Sequence, residues 1–152
     1  MRLGASEVRG RLAALAARHP YLLVDDVLEV DPSARSIRAV KGFSFSEPYF
    51  AGHFPGKPVV PGVLLMLAMV QAAELVRDGK PARLLRTRRF HFRAPVQPGE
   101  SLVIDLETAE EQGEEWTVRA SGSVRGEVRV KGTLVLGVAP SGAGRDRGQA
   151  DG

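Results

Sequence analysis

The chain has 152 residues, 43% of them hydrophobic and 26% charged, with a formal net charge of +3. Those figures suit one soluble domain with a single core. There is no cysteine, which excludes disulfides, thiolate-bound zinc and a thiol nucleophile. The positive balance is mild and no aromatic stacking pattern accompanies it, so nucleic-acid binding is not expected.

Glu7 to Arg18 reads as a short amphipathic helix with Val8, Leu12 and Leu15 on one side. The residue before a proline avoids the helical region, so His19-Pro20 ends it. The N-terminus, with Arg2, Glu7, Arg9 and Arg11 among small residues, lacks the apolar segment of a secretory signal, and a cytoplasmic location is expected. Tyr21 to Val30 is apolar and β-branched enough for a strand, Asp31-Pro32-Ser33 for a turn, and Ser36 to Gly42 for a second strand that completes a hairpin.

Ser44 to Pro61 differs in kind. Pro48, Pro55, Pro58 and Pro61, with Gly52 and Gly56, rule out regular structure and predict a long, stiff, shaped loop of the sort that usually carries function. Gly62 to Arg77 then holds an apolar run, Val63 to Val70, far too short for a bilayer span. A helix apolar nearly all round is a buried one. Gln71 and Glu74 interrupt it, and Glu74 reads as a surface charge near the helix end. Pro61 suits the first turn and Asp78-Gly79 the end.

The remainder is β: Arg83 to Phe92, Ser101 to Ala109, Glu115 to Val124 and Glu127 to Val138, separated by Pro95 to Gly99, Gln112-Gly113 and Arg125-Gly126. Residues 140–152 are rich in Gly, Ser and charge and are expected to stay disordered beyond a single domain spanning 1–139. One buried helix among about six strands predicts an α+β fold in which an antiparallel sheet wraps a central helix at about residues 61–77, the hotdog arrangement, although other α+β folds also bury one helix.

His53 sits in the proline-fixed loop, and an imidazole exchanges protons near neutrality, so it can serve as a general base or as a loop histidine bonded to backbone. Gly62 begins the helix, where free N–H groups favour developing negative charge. His19 and His91 have no such context and read as structural. Arg83, Arg86, Arg88, Arg89 and Arg93 crowd into eleven positions, which suits either an acidic partner or a solvated strand face.

The stretch Gly52-His53-Phe54-Pro55-Gly56-Lys57-Pro58-Val59-Val60-Pro61-Gly62-Val63-Leu64 resembles the signature of FabZ-type 3-hydroxyacyl-acyl carrier protein dehydratases. His19 to Asp25, Ser46 to Phe50, Ala68 to Ala73 and Phe92 to Glu100 resemble flanking pieces of that family in the same order, so the likeness runs from about His19 to Leu136. It implies the hotdog fold and removal of water from a 3-hydroxyacyl thioester in fatty-acid or related acyl-chain biosynthesis, with no cofactor and no metal. It makes His53 the base and Gly62, Phe54 and Gln71 substrate contacts, with the acyl thioester carried on acyl carrier protein. Arg86, Arg88 and Arg89 are expected to meet that carrier, with Lys57 and Lys80 as possible contributors.

The likeness fails at one position. Fourteen residues after the histidine the family has a carboxylate, and this chain has Leu67. Family active sites lie at dimer interfaces, so a homodimer or a trimer of dimers is implied, and so is an alternative: a non-catalytic subunit that binds acyl chains or carrier, or one that combines His53 with the glutamate of a second hotdog chain. A hotdog acyl thioesterase is a further alternative.

Overall fold

A computed structural model describes residues 4–18, 22–47, 56, 58–77 and 80–139. Its elements are α1 (Ala5–Arg18), β1 (Asp26–Asp31), β2 (Ser36–Gly42), α2 (Gly62–Val76), β3 (Ala82–Phe92), β4 (Ser101–Gln112), β5 (Glu115–Val124) and β6 (Glu127–Val138). The strands form one six-stranded sheet in the order β1-β2-β4-β5-β6-β3, every described pairing antiparallel. This is the hotdog fold, with α2 packed against β2, β3, β4 and β5.

Alternation builds the core. Ile37, Ala39, Ile104, Leu106, Val118, Ala120, Leu134 and Leu136 point inward and are buried with Ala68, Met69, Ala72 and Leu75 of α2. The turn after β1 is held by the Asp31 carboxylate, which accepts from the N–H groups of Ser33 and Ala34 and from the Ser33 hydroxyl. Arg125 and Gly126 both have positive φ (50° and 80°), the two-residue turn whose twist suits a β5–β6 hairpin.

Two expectations need correction. The first strand begins at Asp26, not Tyr21. Leu23 and Val24 are buried, but the Leu23 N–H is taken by the Gln71 side chain rather than by a strand ladder. The helix is also not buried all round. Leu65 and Ala68 to Leu75 are buried, whereas Val63 is 60% exposed and Leu67 41%. One layer of sheet covers one side of a helix, so the first two turns keep an open face. The tail 140–152 lies outside the described residues, as do His19, Tyr21 and the loop through Phe54.

Candidate functional site

His53, Phe54 and Lys57 fall outside the described residues, so the site is built from what surrounds their loop. The described chain resumes at Pro58; the Val60 N–H donates to the Val96 carbonyl at 2.8 Å, and α2 starts two residues later. Pro61 leads into Gly62, and the Leu64 N–H folds back onto the Pro61 carbonyl at 3.0 Å. No side chain caps this end and no acid stands in the first turn. Among the described residues the N–H groups of Gly62 and Val63 have no acceptor. A helix start in that condition presents orphan donors and the positive end of the dipole to whatever lies before it.

Gly62 has a neighbour that sequence reading missed. A Cβ placed on it would stand 2.9 Å from Cζ and 3.0 Å from Cε1 of Phe92. The ring therefore occupies the space where a side chain would be. Phe92 closes β3, one of the two edge strands, and reaches α2 because the strand changes phase. Between Arg88, opposite Thr133, and His91, opposite Lys131, both Arg89 and Phe90 face the single Gly132. Arg89 takes a left-handed conformation at φ 50°. This bulge resets the alternation. Phe90 packs on the core and meets Phe92 edge-on, with ring centroids 5.2 Å apart.

Leu67 lies one turn beyond Val63, on the open face of α2, about 7.5 Å along the axis from Gly62. It offers methyl groups where the family resemblance expects a carboxylate. Gln71 is buried one turn further on, and its Oε1 accepts the Leu23 N–H at 2.7 Å. That bond ties α2 to the segment before β1 and commits the amide oxygen to backbone. Glu74 corrects the reading of it as a surface charge. It is fully buried, and its Oε2 accepts the Ala82 N–H at 2.7 Å, fixing the start of β3 against α2. Leu75 and Val76 following it are the signal that the helix end is still inside.

The loop between β3 and β4 is braced by a buried ion pair. Arg129 Nη1 reaches Glu100 at 3.0 Å and the Pro95 carbonyl at 2.6 Å, and Glu100 Oε1 also accepts the Gln97 N–H. Burial pushes the Glu100 carboxyl up, but its bonds to Arg129 and Gln97, with the nearby charge of Arg125, hold it below its ordinary range. The same pairing raises the Arg129 guanidinium. Since this loop carries Val96, the brace stands directly behind the start of α2.

The arginine cluster does not form one patch. Arg86 lies 3.6 Å from Glu115. Arg89, with His91, Arg93 and Lys131, lines the β3–β6 end of an open cavity of about 890 Å³ on the sheet's outer face. The middle of that face is neutralised by Arg38–Asp105 at 2.7 Å and Arg119–Glu107 at 2.8 Å, and its β1 end carries Glu29 and Asp31. Arg88, Arg89, Arg93 and Lys131 form no ion pair with a described residue. Among the described residues no helix is long and apolar enough to cross a membrane, and no group of three or more His, Asp or Glu side chains is arranged to hold a metal ion.

Residues 15–136 match the profile of the FabA-like domain. The 3-hydroxyacyl-acyl-carrier-protein dehydratase FabZ of Thermus thermophilus is 42% identical over 137 residues, covering 86% of this chain and 95% of its own. Among solved structures, Cj0977, a sigma28-regulated virulence protein from Campylobacter jejuni, superposes with a TM-score of 0.69 at 12% identity, over 91% of this chain and 94% of that one. A chain of the dehydratase heterocomplex ApeI:P from Xenorhabdus doucetiae gives 0.66 at 16% identity, over 78% and 84%. At those identities the two structures speak for the fold.

Proposed function

We propose that this chain, which belongs to the FabA-like family, acts as a 3-hydroxyacyl-acyl carrier protein dehydratase of acyl-chain biosynthesis in the cytoplasm. The observation that carries the reading is the start of α2: the N–H groups of Gly62 and Val63, which have no acceptor among the described residues, follow directly after the loop that holds His53. His53 takes the C2 proton, and the charge that builds on the thioester carbonyl is met by the helix-start donors. The C3 hydroxyl then leaves as water, which requires a second proton. A donor at position 67 would supply it; Leu67 does not, so in this chain the proton comes from solvent water and turnover is slow.

A second reading follows from Leu67 and its surroundings. The face bearing Val63 and Leu67 is exposed and apolar in the single chain, with Phe92 beside it at 49% exposure. A companion subunit covering this face could bring its own carboxylate to His53. A chain of the same fold belongs to the dehydratase heterocomplex ApeI:P, which is in keeping with such a pairing. A homodimer or a trimer of dimers covers the same face without supplying the acid.

The carrier protein docks, in this reading, on the β3–β6 end of the outer face. Its support is charge. Arg88, Arg89, Arg93 and Lys131 form no ion pair with a described residue, while the middle of that face is neutralised by Arg38–Asp105 and Arg119–Glu107. Phe92 and Gly62 lie on the inner side of the same edge strand, so an acyl arm passes round one strand to reach them.

The test is an acyl-carrier dehydration and hydration assay on the native chain, His53→Ala and Leu67→Glu. A slow native rate abolished by His53→Ala and raised about 10²–10⁴-fold by Leu67→Glu supports the enzyme. A silent native chain that turns over only with Leu67→Glu, or with a glutamate-bearing companion, selects the second reading. No activity in any form, with or without a companion, sinks both.

A further inference from the structure

We propose that Phe92 is a positioning residue for the donors at the start of α2, and that position 62 is glycine because of this ring. Four observations on the structure support this. The ring sits in the side-chain space of Gly62, with three ring atoms within 3.5 Å of where a Cβ would stand. It is held from behind by Phe90 at 5.2 Å. Phe90 is itself wedged over Gly132, where a Cβ would lie 2.4 Å from its Cδ2 and 2.7 Å from its Cα. The bulge at Arg89 and Phe90 is what turns both rings inward from an edge strand.

The line Gly132, Phe90, Phe92, Gly62 thus runs from the sheet to the helix start. Its end point is the pair of N–H groups that have no acceptor among the described residues. A ring against Gly62 fixes the direction of those donors and keeps water from one side of them, which strengthens their pull on a developing charge. Glycine at a helix start is ordinarily read as room for a ligand. Here the room is filled by the protein, and the ligand meets the N–H groups beside the ring. The bearing on catalysis rests on the dehydratase reading above; the packing relation stands without it.

The experiment is a cycle of Gly62→Ala, Phe92→Ala and the double variant, with Phe92→Leu as the conservative form. Two readouts are taken that need no turnover: the thermal midpoint, and calorimetric binding of an unreactive 3-hydroxybutyryl-pantetheine amide. Gly62→Ala should lower Tm by about 3–8 °C, because the new methyl meets the ring. The same change made in Phe92→Ala should cost about 1 °C or less, since the ring is gone. Phe92→Ala should weaken analogue binding about tenfold, and Phe92→Leu should recover it to within about threefold. An equal Gly62→Ala penalty in both backgrounds refutes the contact. Unchanged affinity in Phe92→Ala refutes the positioning role. A native chain that binds no analogue defeats the dehydratase reading and the positioning role together, and the Tm cycle then decides the contact alone.

Discussion

Gln71 shows how a helical side chain can give one of its polar atoms to packing. Its amide oxygen accepts the Leu23 N–H inside the core, so Gln71→Leu leaves that donor buried without an acceptor. An orphaned buried donor costs about 1–3 kcal/mol, and the denaturant midpoint should fall accordingly with the slope unchanged. A substitution that leaves stability intact would show that this bond contributes little to the core. Glu74 teaches the same lesson with a charge. Near the end of a helix it looked solvated in the sequence, yet the chain turns directly into β3 and brings the Ala82 N–H onto it. His53 and Leu67 were legible as residues, because their spacing and context are local. The commitments of Gln71 and Glu74 were not, because each partner belongs to another element.

At the scale of elements the β3 bulge does the most. Strict alternation along Arg88-Arg89-Phe90-His91-Phe92 would send one set of rings and cations to the wrong faces. One extra residue opposite Gly132 puts phenylalanines inside and cations outside. Gly132→Ala drives a methyl into the Phe90 ring and to 2.7 Å from its backbone Cα, and overpacking of that kind costs about 1–3 kcal/mol; a loss of Tm that Phe90→Ala relieves only in part is the expected pattern. The β3–β4 loop is the second such device. Glu100 and Arg129 are both nearly buried, and removing one partner of a buried pair costs about 3–5 kcal/mol, so Arg129→Ala should lower stability by that order. Glu100's folded value lies below its ordinary 4.5, so its contribution is fully present above about pH 4.5 and is lost as pH falls through the folded value. Acid titration of Tm should therefore show a loss below pH 4.5 that Glu100→Gln reduces.

For the whole molecule the sheet has two working sides. The inner side carries α2 and its open first turns; the outer side carries charge, paired in the middle, acidic at the β1 end and basic along β3 and β6. Replacing Arg88 and Arg89 together by serine should weaken carrier-protein binding about tenfold at low salt and flatten its salt dependence. Arg86→Ser, which loses only an exposed contact to Glu115, should change affinity by about threefold at most. Equal effects from the two substitutions would argue against the outer-face docking surface.

The sequence by itself determined the elements, the hotdog architecture and the family, because hydrophobic period, turn residues and the Gly52–Leu64 stretch are written in consecutive positions. It also determined that a carboxylate is missing at Leu67. Tertiary structure decided what no local pattern contains: that the first turns of α2 are open, that Gln71 and Glu74 are spoken for by backbone, and that Phe92 fills the space at Gly62. Each of these depends on strand register and on which layer covers which face. Register is a relation between distant segments, and a one-residue bulge is enough to reverse it.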